Sequence, residues 1–330
     1  MNMARDADIL RELYQVGDDG ISGAKLASRL AVSRTAIWAR IEALRRVGFD
    51  IEASPQSGYR LNAAPDLLLS EDLVARRGKI RIIGDPIQVF QETRSTNALA
   101  ERLGRDGVKE GAVVVAEFQT QGRGRLGRTW LGSNGKGVLL STLLRPPLRP
   151  PEVTRLTVMG ATAVVRAIRR CTPVEPSIKW PNDIMIGSKK VAGILTEMNA
   201  EPDRVRYVVL GIGLNVNQSA CDWPEELQSV ATSLKIETGQ SVHRAALTAA
   251  LVEELDRDYC RSVGQEFGLV LDEWQSLCST IGKEVCVQFG ERRIEGRAEA
   301  IDTDGALLVR GDGGHLQRVT GGDVSLRLND

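Results

Sequence analysis

The run Gly122-Arg123-Gly124-Arg125-Leu126-Gly127-Arg128-Thr129-Trp130 constrains this chain more than any other stretch. Three glycines and three arginines fill seven consecutive positions, directly after the apolar run Ala112–Phe118. Glycine lets backbone approach a ligand closely and supplies left-handed turns. Arginine brings fixed charge and forked donors suited to phosphate or carboxylate. Together they describe a loop shaped to hold an anion, although the segment alone also reads as a solvated basic hairpin turn. The spacing Gly122-x-Gly124-x-x-Gly127 after a strand matches the dinucleotide fingerprint, but the surroundings reject it. That fingerprint needs a helix at its third glycine and an acid about 20 residues on. Here Thr129–Gly135 cannot sustain a helix, and Leu139–Leu148 holds no acid. No Gly-Lys-Ser/Thr ends the run, so a P-loop fails as well.

At 330 residues the chain is too long for one ordinary core, and two or three domains are expected. Lys+Arg and Asp+Glu balance at 43 each, so a polyanion-binding surface must be local. The five cysteines (Cys171, Cys221, Cys260, Cys278 and Cys286) form no C-x-x-C pair, which argues against disulfides and zinc and for a reducing, cytoplasmic setting. With His243 and His315 as the only histidines, a Ser/His/Asp triad is disfavoured. The N-terminus carries Asp6, Asp8 and Glu12 and does not read as a signal peptide. No stretch reaches the roughly 18 apolar residues of a membrane span.

The first unit spans residues 1–64. A helix is expected at Ala7–Val16, a short one at Ala24–Leu30, and a third at Arg34–Val47 behind Ser33 as N-cap. Ile37, Ile41 and Leu44 place one face of the third helix inward, and Gly48 ends it. Ile51–Ala53 and Tyr59–Leu61 flank a turn and read as a hairpin. Two tightly joined helices and a hairpin make a winged helix-turn-helix. Lys25, Arg29, Arg34, Arg40, Arg45 and Arg46 face only Glu42 in this stretch. Ser33, Arg34, Thr35 and Trp38 stand off the apolar stripe near the helix start, where such motifs read bases. The competing reading is a small helical domain with a solvated basic face.

The central unit, residues 65–277, begins after a short Pro/Ala linker. Strands are expected at Gln88–Phe90, Ala112–Phe118, Val138–Leu144, Ser177–Trp180, Ile184–Ile186, Lys190–Met198 and Arg206–Asn215, and helices at Asn97–Leu103, Val153–Arg170 and Val242–Val263. The second of these helices is apolar almost all round and should lie buried against the sheet. This pattern predicts an α+β fold with a mixed sheet rather than a doubly wound one. Residues 278–330 alternate strand-like runs with Gly290, Gly296, Gly305, Gly311–Gly314 and Gly321-Gly322, and predict a small β-barrel over Ile281–Leu328.

Three further segments carry chemistry. Lys179-Trp180-Pro181-Asn182-Asp183 sets a lysine, an amide and a carboxylate at a Pro-forced turn. Lys190–Glu197 is a strand with a small-residue notch at Gly193, suited to a flat ligand. Gly211–Asn217 is a glycine-relieved strand ending in two amides. Together with Gln119–Trp130 and Arg94-Ser95-Thr96-Asn97, these segments closely resemble the biotin–protein ligase family, in order and spacing over essentially the whole chain. The first and last units resemble its bifunctional subgroup, which joins the ligase to a biotin-operon repressor. Related lipoate ligases share the fold but carry a different Arg- and Gly-rich motif, absent here.

The resemblance implies a biotin/lipoate ligase-like central domain, an SH3-like C-terminal barrel, and a two-step reaction. Biotin's carboxylate attacks the α-phosphate of ATP, and the biotinoyl-5′-AMP so formed passes biotin to a lysine of the biotin carboxyl carrier protein of acetyl-CoA carboxylase. By family position Ser95, Thr96, Asn97, Gln119, Gly122 and Gly193 should hold biotin, with Trp130 walling its chain. Arg123, Gly124 and Arg125 should embrace the carboxylate–phosphate junction, and Lys179 should bridge the reacting oxygens. Arg128, Asn182, Asp183 and Asn215 should meet nucleotide, Asp183 also Mg²⁺. Leu126 stands where many relatives have a basic residue. The adenylate would act as corepressor, operator DNA of biotin-biosynthesis genes would be a second partner, and a homodimer is expected when the adenylate is bound. Two alternatives stay open: a ligase whose first unit no longer regulates transcription, and a ligand-sensing transcription factor without catalysis.

Overall fold

The computed structural model describes residues 3–289 and 292–326. The chain forms two compact units, Met1–Lys79 with His243–Ala249, and Ile80–Val242 with Ala250–Asp330. The first takes in more than residues 1–64 because side chains tie the following segment to it. Tyr14 donates to Asp72 at 2.6 Å, and the fully buried Arg244 holds Asp66 at 3.1 Å.

In the first unit, helices α1 (Met3–Val16), α2 (Gly23–Arg29) and α3 (Arg34–Val47) precede strands β1 (Asp50–Ser54) and β2 (Gly58–Ala63), which pair antiparallel. Ser22 and Ser33 cap α2 and α3 through their side chains, and Gly48 ends α3 at φ +111°. Leu10, Leu13, Leu26, Ile37 and Ile41 form the buried centre. Helix α4 (Ser70–Arg76), where the sequence reading expected no helix and which it placed in the central unit, packs against α1.

The second unit continues with β3 (Ile87–Thr93), α5 (Thr96–Arg105), β4 (Val113–Gln119), β5 (Gly137–Leu144), α6 (Thr154–Cys171), β6 (Ser177–Lys179), β7 (Asp183–Ile186), β8 (Lys189–Ala200) and β9 (Val205–Asn215). Short helices α7 (Glu225–Gln228) and α8 (Leu234–Thr238) follow, then α9 (Arg244–Val263), whose first residues belong to the other unit, and α10 (Phe267–Leu277). The sheet order is β3-β4-β5-β9-β8-β7-β6, with β3 and β4 parallel and the remaining pairs antiparallel, so the sheet is mixed as the pattern implied. Side chains alternate across it. Tyr207 and Val209 of β9 face α5, whereas Leu210 meets α6 at Gly160. Beyond Val209 the α5 side of β9 continues as Gly211 and Gly213, whose missing side chains leave room for Asn97 and the Trp130 ring.

The last segment is an antiparallel sheet of β10 (Glu284–Phe289), β11 (Arg292–Ile301), β12 (Leu307–Arg310), β13 (Leu316–Val319) and β14 (Asp323–Leu326), in the order β13-β12-β11-β10-β14. Gly290 and the end of the expected barrel at Leu328 lie outside the described residues. The sheet clusters with the central one because Trp180 Nε1 donates to Gly305 O at 3.3 Å, its amide meets Thr280 at 3.1 Å, and Thr154 bonds Asp304 O.

Candidate functional site

An open cavity lies where β9 turns to glycine. Its floor is a network of neutral polar groups at the N-terminus of α5. The Thr96 amide and hydroxyl both donate to Gln119 Oε1, at 2.6 and 3.0 Å. With its oxygen used twice, Gln119 keeps its amide hydrogens for other acceptors. Ser141 Oγ, fully buried on β5, lies 2.7 Å from Thr96 Oγ1 and 2.5 Å from Asn97 Oδ1. Asn97 Nδ2 donates to Glu197 Oε2 at 2.6 Å. A Cβ on Gly211 would stand 2.1 Å from Asn97 Oδ1, so the floor exists only because that residue lacks a side chain.

The rim is the Gly122–Trp130 segment, folded as a tight hairpin. Trp130 N donates to Gly122 O at 3.0 Å and Gly124 N to Arg128 O at 2.7 Å. Leu126 and Gly127 turn the tip at φ +56° and +75°. The hairpin lays the Trp130 ring on the sheet: Cβ atoms on Gly213 and Gly193 would stand 2.4 and 3.2 Å from it. Lys190 Nζ stands 5.5 Å from the centre of the same ring and 2.6 Å from Asp183. Arg123 pairs with Glu197 at 3.1 Å, and Arg125 donates to Asn182 Oδ1 at 2.9 Å. Asn182 is itself oriented by donating to Ile194 O at 2.9 Å. Neutral hydrogen-bonding groups and three cations thus share one pocket, suited to a ligand with an uncharged polar ring and an anionic end.

Of the sequence-predicted residues, Ser95, Thr96, Asn97, Gln119, Arg123 and Gly124 line this cavity, as do Arg125, Trp130, Asn182 and Gly193. Five others do not. Gly122 sits inside the hairpin, where a Cβ would be 2.4 Å from Trp130 O. Arg128 is exposed beside the tip. Asn215 is buried and donates to Thr232 O at 3.0 Å, holding the loop after β9. Asp183 is not among the lining residues and pairs with Lys190 at 2.6 Å. Lys179, half-buried at the end of β6, makes no ion pair among the described residues. The lysine at the cavity is Lys190. Sequence reasoning saw its strand as a notch for a flat ligand and overlooked its side chain. It also overlooked Ser141 and Glu197; a serine inside the wholly buried strand Gly137–Leu144 was the available signal, since such a hydroxyl must find partners.

No group of three or more His, Cys, Asp or Glu stands ready for a metal among the described residues. Asp183 offers one carboxylate, and a Mg²⁺ held mainly by phosphate and water needs no more from protein.

On the first unit, Ser33, Arg34, Thr35 and Trp38 are all exposed, Trp38 by 58%. Arg34, Thr35 and Trp38 line a groove between the start of α3 and the β1–β2 turn. Ser33 Oγ accepts from Ala36 N at 3.1 Å, so its first duty is capping. The basic face is weaker than the local sequence implied. Arg29 pairs with Glu12, Arg40 with Asp6 and Arg45 with Glu42, two of these acids coming from α1. Among the described residues the charged ends of Arg34 and Lys25 meet no carboxylate.

Comparison with known proteins gives a family for each part of the chain. Residues 89–215 match the biotin/lipoate A/B protein ligase family, residues 5–60 an HTH domain, and residues 280–327 the biotin protein ligase C-terminal domain. The chain is 37% identical to the bifunctional ligase/repressor BirA of Bacillus subtilis, over 97% of this chain and 98% of that one. It is 31% identical to BirA of Escherichia coli, over 93% and 92%. Among solved structures it resembles the Aquifex aeolicus biotin protein ligase in complex with biotin and ATP, at TM-score 0.63 and 30% identity, over 74% of this chain and 99% of that one. The chain belongs to the biotin–protein ligase family, in the branch that unites ligase and repressor.

Proposed function

We propose that this protein makes biotinoyl-5′-AMP from biotin and ATP and transfers biotin to the carrier protein of acetyl-CoA carboxylase. In the first step a biotin carboxylate oxygen bonds to the α-phosphorus and pyrophosphate leaves. In the second the carrier lysine's amine attacks the acyl carbon, loses a proton, and AMP departs with the bonding electrons. Both reactants of the first step are anions, so fixed cations must screen their approach and the charge gathering at phosphorus. The observation that carries the reading is the cavity's division of labour. Asn97, Thr96 and Gln119 offer neutral donors and acceptors to a ureido ring, and Arg123, Arg125 and Lys190 stand at the rim. Lys190 is the better candidate for the reacting oxygens, with Lys179 supporting from outside. Gly122, Arg128 and Asn215 act through the loops they shape, and Asp183 would hold Mg²⁺, which supplies charge neutralisation at the phosphates when bound. Positioning and electrostatics suffice, with no covalent enzyme nucleophile.

The exposed start of α3 supports operator binding by the first unit, with the adenylate as corepressor and a cytoplasmic homodimer presenting two recognition helices. Transfer of radiolabelled biotin to a carrier domain tests the ligase; an ATP-independent or absent transfer overturns it. Binding of the biotin-operon promoter with and without biotin plus ATP tests the repressor. Affinity indifferent to both would favour a ligase with a non-regulatory first unit.

A further inference from the structure

The carboxylate of Glu197 joins two parts of the cavity that the proposed reaction uses for different ends of its ligand. Oε2 accepts from Asn97 Nδ2 at 2.6 Å, and Oε1 pairs with Arg123 at 3.1 Å. Asn97 is buried and its Oδ1 faces Ser141 at 2.5 Å, so turning the amide round would set its oxygen against a carboxylate. Glu197 therefore fixes which way Asn97 points, and through Ser141 this orientation is shared with Thr96 and Gln119. Arg123 belongs to the rim hairpin, whose backbone bonds largely run within the hairpin itself. A carboxylate beside a site for two anions opposes their binding unless it does something else there. What it does is hold the rim to the floor, one oxygen for each.

We propose that Glu197 is a positioning residue that couples recognition of the neutral ring to recognition of the anionic end. When the ring fills the floor, Asn97 and with it Glu197 are fixed, and Arg123 is set before the nucleotide arrives. The inference rests on the function proposed above. It separates from that function because Gln keeps one half of the bridge. In Glu197→Gln the amide oxygen still accepts from Asn97, while its NH₂ turns a donor toward Arg123. Glu197→Ala removes both halves.

The test uses the full-length protein, titrated calorimetrically with biotin and with α,β-methylene-ATP, each alone and in the presence of the other. In the wild type each ligand should tighten the other, by linkage to the same extent. Glu197→Gln should bind biotin alone within about two-fold of wild type, yet lose at least about five-fold of the mutual tightening. Glu197→Ala should lose the coupling and also weaken biotin binding about ten-fold, because Asn97 is left without its acceptor. Coupling retained in Glu197→Gln would overturn the proposal, as would biotin binding weakened there as far as in Glu197→Ala. Should Glu197→Ala fail to fold, the Gln variant decides alone. A wild type that binds both ligands without mutual tightening sinks the coupling and spares the ligase reading; one that binds no biotin sinks both.

Discussion

The cations of the cavity and those at the start of α3 are chemically alike and held differently. Arg123, Arg125 and Lys190 each touch a protein acceptor: Glu197, Asn182 and Asp183. Arg34 and Lys25 touch no carboxylate among the described residues, and Trp38 beside them is 58% exposed. The difference matches the two tasks. Charge that develops at one phosphorus atom is stabilised only by donors already in place, so a reaction site must fix its cations before the ligand comes. A DNA backbone presents a line of phosphates, and binding draws on counterion release, which needs local charge density rather than a single geometry. Fixed cations should therefore show large, salt-insensitive mutational effects, and solvated ones moderate effects that shrink with salt.

The largest effect should come from Lys190. Lys190→Ala should slow biotin-dependent pyrophosphate exchange by about 10²–10³, the usual loss for one fixed transition-state contact. Lys179→Ala, off the cavity, should cost less than about ten-fold in the same assay. The reverse ranking would return Lys179 to the reacting oxygens and break the account of which cation the fold places there.

Next is the floor. Gly211→Ala puts a methyl group where Asn97 Oδ1 lies 2.1 Å away. Overpacking typically costs about 1–3 kcal/mol, so biotin affinity should fall about ten- to hundred-fold by calorimetry. Operator binding measured without biotin should not move. Unchanged biotin affinity would mean that Asn97 does not contribute to the floor.

On the other surface, Arg34→Ala and Trp38→Ala should weaken operator binding by about 1–3 kcal/mol if these side chains reach base edges. Arg34→Ala should leave carrier biotinylation intact. If Arg34 instead meets phosphate, the loss should be uniform across DNA sequences and lower the salt slope by about one. Either result keeps the contrast with the cavity. Loss of ligase turnover in Arg34→Ala would abolish it.

Much of this was legible beforehand, for reasons that differ by residue. Helix α3 was bounded to the residue because Ser33 caps it and Gly48 ends it, and both signals are local. The strands were readable as apolar runs. Helix α10 was not expected, although Phe267, Val270, Leu271 and Trp274 stand at i, i+3, i+4 and i+7 and are buried on one face. The glycines of β9 were seen, but their reason was not, since Asn97 and Trp130 meet Gly211 and Gly213 only after the chain has folded back. The same holds for charge. Counting basic residues along α2 and α3 overstated the basic face because Asp6 and Glu12 arrive from α1. Which of Lys179 and Lys190 lies beside the cavity is a tertiary matter too, because only the folded chain brings Lys190 to the Trp130 ring.

The smallest effect sharpens the comparison most. Leu126 is 68% exposed at the hairpin tip and adopts φ +56°, which costs any side chain similar backbone strain. Leu126→Arg therefore changes charge with little change in strain. It adds a cation to the rim without giving it a partner, making that one position resemble the start of α3 rather than the rest of the cavity. An exposed charge contributes about 0.2–1 kcal/mol, so ATP affinity should rise by at most about five-fold. The gain should vanish as ionic strength approaches 1 M, where the screening length falls to about 3 Å. The wild-type affinity due to Arg123, Arg125 and Lys190 should respond much less to the same salt. A gain beyond ten-fold that survives high salt would show the tip folding over the nucleotide. The rim would then be set by the ligand rather than before it, and the distinction between placed and solvated cations would fail at the loop that first suggested it.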